Sequence, residues 1–380
     1  MDRRTQEENA TPDDNNTEAS TNEDTYNIAS NLNLPKGYYK WPEDTQKRWT
    51  TEYKLQKRFA HGDRQEIQIR RYLDWFEKVP WGKEVVKDIS IIDTKNVLDE
   101  GHYGMNDVKQ IILEVLAVQK LKKENTGLIL LLTGPPGVGK TSFSSSIAKA
   151  LEKPFKKIAM GGMVDEIILK GSDRAYQNSF PGAIIRALCE CGTSSPVLLL
   201  DEVDKIPKDS NRGDCSSILL DILDTNRTSF VDNFLQVPFD LSKVLFICAA
   251  NDESIISKSL KDRMEHIELK GYTYEEKLEI TKRYIIPKKL KETGIDQFGY
   301  FFKEEAIVKL AEGCEKNQGM RDLERLVTAV CRRIALLHLQ DQMDNKEITK
   351  AFIVAQNISL YNNLHREKRI GFYIEDMMSR

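Results

Sequence analysis

This 380-residue chain lacks long apolar runs, an excess of basic charge, metal-type histidine or cysteine pairs, and a recognisable targeting segment. No stretch approaches the roughly 18–20 apolar residues of a membrane span, so no membrane association is expected. The 56 Lys and Arg residues are outnumbered by 59 Asp and Glu, and a net charge of −3 offers no global attraction to nucleic acid. Five histidines include no H-E-x-x-H, which argues against a metalloprotease. Six cysteines contain no C-x-x-C pair; Cys189 and Cys191, two apart, fit common zinc spacing poorly, and reduced structural thiols are expected. The first 30 residues carry eight acidic and two basic side chains and almost nothing apolar. They cannot bury enough surface to fold alone, so a disordered acidic and polar tail is expected over 1–40, and its acidity is the opposite of an Arg-rich presequence. A cytoplasmic or nuclear address is therefore expected, with a mitochondrial one as the alternative.

What the chain does have is Gly134-Pro135-Pro136-Gly137-Val138-Gly139-Lys140-Thr141, a match to G-x-x-x-x-G-K-[ST]. The apolar run 128–132 before it is long enough for one buried strand, and 142–151 after it reads as a helix beginning at Ser142. Strand, glycine loop and helix N-terminus together suit a nucleotide phosphate. Backbone N–H groups curl around the β-phosphate and the helix start adds a favourable dipole. Lys140 can reach the β- and γ-phosphates, and the Thr141 hydroxyl can ligate Mg²⁺. These residues predict binding of ATP or GTP without choosing the base.

Residues 41–95 read as a helical stub broken by the turn Pro80-Trp81-Gly82. Between 96 and 270, strand candidates at 128–132, 154–160, 197–200, 244–250 and 267–269 alternate with helical stretches. That pattern predicts an α/β nucleotide-binding domain with a parallel sheet. Beyond Gly271 helices take over. In 320–339, Leu323, Leu326, Val327, Val330, Ile334 and Leu337 form one apolar stripe, so a small all-helical lid is expected over 271–362, with 363–380 as a C-terminal tail.

The strand at 197–200 runs into Asp201 and Glu202, delivering two carboxylates to the sheet edge that holds the phosphate loop. Asp201 can hold Mg²⁺ through water, and Glu202 can orient and deprotonate an attacking water. The strand 244–250 ends at Asn251, a neutral group suited to holding that water beside the γ-phosphate, or else a plain Asn-Asp turn.

GPPGVGKTS, LLLDEVDKI, NRGDCSSILLDILD and VPFDLSKVLFICAAN together resemble the ATPase module of the Lon proteases, a branch of the AAA+ family. LDEGHYGMNDVKQIILEVLAV, DRMEHIELKGYTYEEKLEITKRYIIPK, GMRDLERLVTAVCRR and RRYLDWFEKVPWG extend the likeness from about 43 to about 360. The resemblance implies a P-loop AAA+ domain followed by a helical lid, ATP rather than GTP, and a homo-oligomeric, hexameric ring. It makes Arg263 an arginine finger reaching a neighbour's γ-phosphate. Arg321 becomes the second sensor on the lid, with an intrahelical pair to Glu324 as the plain alternative. By the same likeness His102 and Tyr103 pack near the adenine, and Tyr284 and Ile285 cover the base from the lid. Tyr176, within 171–182, falls where the family grips substrate polypeptide in the central pore.

Some positions depart from that pattern. Gln177 and Asn178 follow Tyr176 where the family has an aliphatic residue and a glycine. Ser172 and Asp173 replace basic residues ahead of it. Gly101 and Cys215 also replace an acid and a proline. A Lon protease adds a Ser–Lys proteolytic domain; none is visible after the lid, so no peptidase activity is expected of these residues. One reading is an ATP-hydrolysing ring that unfolds or remodels protein clients. A second is a regulatory subunit or truncated form that joins full-length Lon; a DNA-directed ATPase is weaker, given the charge.

Overall fold

The computed structural model describes residues 33–85, 87, 89–122, 127–163, 165–207, 215–224, 227–312, 314, 318–343 and 345–356. Most of the expected N-terminal and all of the expected C-terminal tail lie outside the described residues. The chain divides into two units, Met1–Leu73 and Asp74–Arg380. In the first, α1 (Glu43–Gln56) lies beside a short aromatic turn. Trp49 stacks on Tyr53 with centroids 4.8 Å apart, and Tyr38 donates or accepts one hydrogen bond with Thr50 at 2.7 Å. The helix α2 (Arg64–Lys78) follows and crosses the division.

In the second unit the chain leaves α2 at Pro80-Trp81-Gly82. The Trp81 indole donates to the Phe76 carbonyl at 2.8 Å and its ring packs 5.5 Å from Phe239. Residues 83–85 are extended rather than helical, because Lys83 O accepts from Ser194 N and Thr193 Oγ1, both at 2.8 Å. These bonds fasten the end of the expected stub to the α/β body. Then come α3 (Ile91–Gly101) and α4 (Asn106–Lys122), followed by the sheet.

The strands β1 (Ile129–Thr133), β2 (Phe155–Ala159), β3 (Val197–Asp201), β4 (Leu245–Ala250) and β5 (Glu265–Glu268) form one parallel sheet in the order β2-β3-β4-β1-β5. Its central strands are apolar up to their last residues, as buried parallel strands are; Leu198–Leu200 and Leu130–Leu132 have no exposed surface. The helices α5 (Lys140–Ala150), α6 (Ala183–Cys191) and α7 (Cys215–Ile222) lie between the strands in sequence. Thr133 pairs with Ala250, and Asp201 with Ala249, so Gly134, Glu202 and Asn251 all emerge at one edge. This is the C-terminal edge of the sheet, the ligand side of open α/β folds. β5 begins two residues before the expected 267–269, since an edge strand buries only Ile267 and shows no apolar run.

The region beyond Gly271 is helical: α8 (Tyr274–Ile280), a π-turn at Thr281–Ile285, α9 (Ile286–Glu292), α10 (Glu304–Glu312), α11 (Arg321–Leu339) and α12 (Lys350–Ala355). Against the expectation of helices alone, Phe301–Phe302 and Glu347–Ile348 pair as a two-residue parallel ladder. It ties the start of α10 to the approach to α12. The apolar stripe of α11 is buried as its spacing predicts, against Ile280, Ile307, Leu310 and Ile353. The sheet has its own core, built on Leu98, Ile112, Phe143 and Ile147.

Candidate functional site

The loop between β1 and α5 bends through three glycines with positive φ: Gly134 at 144°, Gly137 at 86° and Gly139 at 97°. A side chain at Gly134 would overlap the Leu269 carbonyl, so both conformation and space demand glycine. Gly139 precedes α5 in left-handed conformation, and the first N–H groups of α5 have no partner within the helix. They face the sheet edge where an anion would be welcome.

Lys140 turns back into this loop. Its ammonium donates to Gly134 O at 2.6 Å, Pro135 O at 3.1 Å and Asn251 Oδ1 at 2.9 Å. Burial lowers its pKa, while the carboxylates of Asp201 and buried Asp204 pull the other way. Thr141 Oγ1 donates to Asp201 Oδ2 at 3.2 Å, and Asp201 Oδ1 accepts from Glu202 N at 3.1 Å. The structure thus gathers Lys140, Thr141, Asp201, Glu202 and Asn251 from three segments. Glu202 sits at φ 61°, ψ 44°, a left-handed conformation costly for a carboxylate side chain. A Cβ on Gly161 would overlap the Glu202 carboxylate, so glycine at the turn after β2 makes room for it.

The lid reaches the same loop at the loop's backbone carbonyls. Met320 N donates to Gly137 O at 2.9 Å, and Tyr272 Oη to Val138 O at 2.7 Å. A Cβ on Gly319 would overlap the Pro136 carbonyl. These contacts set Arg321, at the start of α11, beside Gly137; the Arg321 Cβ and N would lie 3.1 Å from a methyl added at Gly137. The alternative pair of Arg321 with Glu324 is not what forms. Glu324 instead meets Lys289 at 2.9 Å and Lys288 at 3.6 Å.

On the other side of α5, His102 Nε2 shares a hydrogen bond with Ser142 Oγ at 3.0 Å, and Ser142 Oγ donates to Gly139 O. Burial, then the Lys109 and Lys288 cations, push the His102 pKa down to about 4. Tyr284 Oη donates to Asp99 O at 3.2 Å, and Arg283 lies 5.9 Å from the centroid of the Tyr103 ring. Lys109 braces this corner through Asp99 Oδ1 and His102 O, both at 2.8 Å. Ile285 is buried in the lid core, against which Tyr103 and Tyr284 also pack.

Two expected residues lie elsewhere. Glu265 pairs with Leu130, so Arg263, two residues earlier, lies toward the N-terminal edge of the sheet, away from Gly134. It donates to Ser259 O at 2.8 Å and stands 3.8 Å from Asp224 Oδ1. Tyr176 is 68% exposed at the tip of the 171–182 loop. The loop's base is clamped by buried Asp232, which accepts from Gly182 N at 2.7 Å and from Phe234 N and Leu235 N.

The donor set fits a small hard cation shared with a phosphate. Thr141 and Asp201 offer a hydroxyl and a carboxylate oxygen in contact, and no group of three or more His, Cys, Asp or Glu forms a metal cage among the described residues. Mg²⁺ is typically held that way, by one or two protein oxygens plus phosphate and water. Sequence reasoning missed Lys157, whose ammonium lies 2.5 Å from Asp201 Oδ2. It also missed Gly161, Tyr272 and Gly319. A single sequence carries no signal that separates Lys157 from Lys156 beside it.

Residues 130–272 match the family described as "ATPase family associated with various cellular activities (AAA)". The chain is 46% identical over 268 residues to the Lon protease of Lawsonia intracellularis, covering 70% of this chain and 32% of that protein. It is 44% identical over 269 residues to the mitochondrial Lon protease homolog of Saccharomyces cerevisiae, covering 70% of this chain and 24% of that one. A proline-to-glycine mutant of RuvB from Thermotoga maritima aligns over 68% of this chain and 70% of its own, at 19% identity and a TM-score of 0.46. The chain therefore spans about a third of the Lawsonia relative and about a quarter of the Saccharomyces one. Among the described residues, no helix is long and apolar enough to cross a membrane.

Proposed function

We propose, for a chain that belongs to the AAA+ ATPases of the Lon protease family, that it hydrolyses ATP with Mg²⁺ at the edge where β1, β3 and β4 end. The observation that carries this reading is the convergence of Lys140, Thr141, Asp201, Glu202 and Asn251 on the phosphate loop. Lys140 exchanges its three oxygen partners for phosphate oxygens, and the N-terminus of α5 adds backbone donors. Thr141 and Asp201 hold the metal, which when bound neutralises phosphate charge and orients the γ-phosphoryl group. Glu202 accepts the proton of the attacking water, while Asn251 positions that water. His102, Tyr103 and Tyr284 form the adenine side; His102, with its depressed pKa, is neutral at pH 7 and repels no base edge.

Arg263 acts in trans in this reading. It lies toward the opposite sheet edge and cannot serve its own phosphate loop, which supports a ring whose sites are shared between subunits. Arg321 follows the γ-phosphate from the lid, supported by the Met320–Gly137 bond that seats it. Exposed Tyr176 on its clamped loop is the candidate grip on polypeptide clients. The departure at Gln177 and Asn178 favours a second reading, a regulatory subunit that co-assembles with full-length Lon.

Steady-state ATPase activity titrated with chain concentration tests both. A rate that rises cooperatively, is lost in Glu202→Gln, and falls about 10³-fold or more in Arg263→Ala supports the self-assembling ATPase. A flat background rate in the presence of tight ATP binding favours the regulatory reading. Failure to bind ATP at all removes both.

A further inference from the structure

Adjacent lysines on β2 have different fates. Side chains of consecutive strand residues point to opposite faces. Lys156 pairs with Glu190 on α6. Lys157 runs the other way, and its ammonium rests 2.5 Å from Asp201 Oδ2. That same oxygen accepts the Thr141 hydroxyl at 3.2 Å, while Oδ1 is taken by Glu202 N. The oxygen that the proposed function reserves for a divalent cation is therefore already in contact with a cation of the chain itself.

The asymmetry in exposure matters. The Asp201 side chain is 13% exposed and that of Lys157 is 45% exposed. A nearly buried carboxylate without a counter-charge is costly. A lysine on a flexible, half-exposed stem can supply that charge and still swing out to water. The register holds the pair together, since Ala159 pairs with Asp201 and Lys157 with Leu199 in the β2–β3 ladder.

From this we infer that Lys157 is a resident counter-ion of Asp201 that occupies the cation position and must release Oδ2 when a divalent metal enters. Lys157 thereby sets the Mg²⁺ concentration at which the site loads, and restores neutrality when metal and product leave. The inference rests on the reading of Asp201 as a metal ligand. Lys157 is a competitor of the metal in this scheme and needs no contact with the nucleotide.

The test follows binding of a fluorescent N-methylanthraniloyl ATP to the full chain, first with EDTA and then across buffered Mg²⁺ concentrations. Lys157→Met keeps the stem and deletes the charge; its Mg²⁺ midpoint should fall about fivefold, the upper end for a half-exposed ion pair. Affinity in EDTA should stay within about twofold of the parent, and Lys157→Arg should keep the parent midpoint. Lys156→Met, with the same change in net charge, should move the midpoint by less than about twofold. An unchanged midpoint in Lys157→Met while the parent responds to Mg²⁺ overturns the inference alone. A tenfold loss of EDTA affinity in that variant overturns it in favour of a phosphate ligand. A parent chain that binds no nucleotide in either condition overturns the functional reading as well. Should Lys157→Met unfold, a Lys157→Gln midpoint equal to the parent's sinks the inference equally.

Discussion

His102 and Asp232 are pulled by burial in opposite directions along the pH scale. Burial and two neighbouring cations lower the His102 pKa to about 4 from an ordinary 6.5. Between those values the unfolded chain binds more protons than the folded one, so stability is full above pH 6.5 and is lost as pH falls toward 4. For Asp232, burial raises the pKa to about 6, while three backbone N–H bonds and Arg186 oppose it. Here the folded chain binds more protons between 3.8 and 6, so stability declines as pH rises through that window. Each contribution is on the order of 3 kcal/mol, and between pH 4 and 6 they offset one another. Urea unfolding of His102→Gln at pH 7 and pH 5 should therefore show less acid destabilisation than the parent. An equal loss in both proteins would remove His102 as the cause. Sequence reading placed His102 near the base by resemblance, but nothing in it distinguished a neutral from a charged imidazole.

At the level of elements, the decisive joint lies between the phosphate loop and α11. Gly319 permits contact with the Pro136 carbonyl, Met320 N bonds Gly137, and the Tyr272 hydroxyl bonds Val138. Burial pushes the Tyr272 pKa up to about 12, so the phenol remains a donor throughout the working pH range. Tyr272→Phe leaves the carbonyl of buried Val138 without this donor and should cost about 1–3 kcal/mol of stability, read by chemical denaturation. Gly319→Ala should do more to binding than to folding. Its methyl must displace the loop, and nucleotide affinity should fall at least about tenfold while far-UV circular dichroism is retained. Unchanged affinity would show that loop and lid move independently. The helix α11 itself was legible from its apolar spacing; the joint was not, because its bonds link residues over 130 positions apart and end on backbone carbonyls, acceptors that any residue carries.

For the molecule as a whole, a ligand that binds only the folded chain raises its stability by mass action. At about 100 times its dissociation constant, Mg²⁺-ATP should add about 2.7 kcal/mol to unfolding free energy. The unfolding midpoint should rise accordingly in the parent chain and stay put in Lys140→Met, where the charge-assisted phosphate contact is gone. A parent midpoint indifferent to nucleotide would contradict the proposed site directly. The division at Leu73 matters for the experiment, because a first unit that unfolds separately would appear as a transition untouched by nucleotide.

The phosphate loop, the strand ending in Asp201-Glu202, the parallel sheet and the apolar stripe of α11 were determined by the sequence alone. Each is a local pattern, in which hydrophobic period and glycine placement act within one element and its neighbours. The two-residue ladder at Phe301–Phe302 and Glu347–Ile348, the extended 83–85 segment and the early start of β5 were decided by tertiary pairing. So were the Lys157–Asp201 contact and the separation of Arg263 from its own phosphate loop. In every one of these the deciding partner is distant in sequence, and strand register determines which side chains meet.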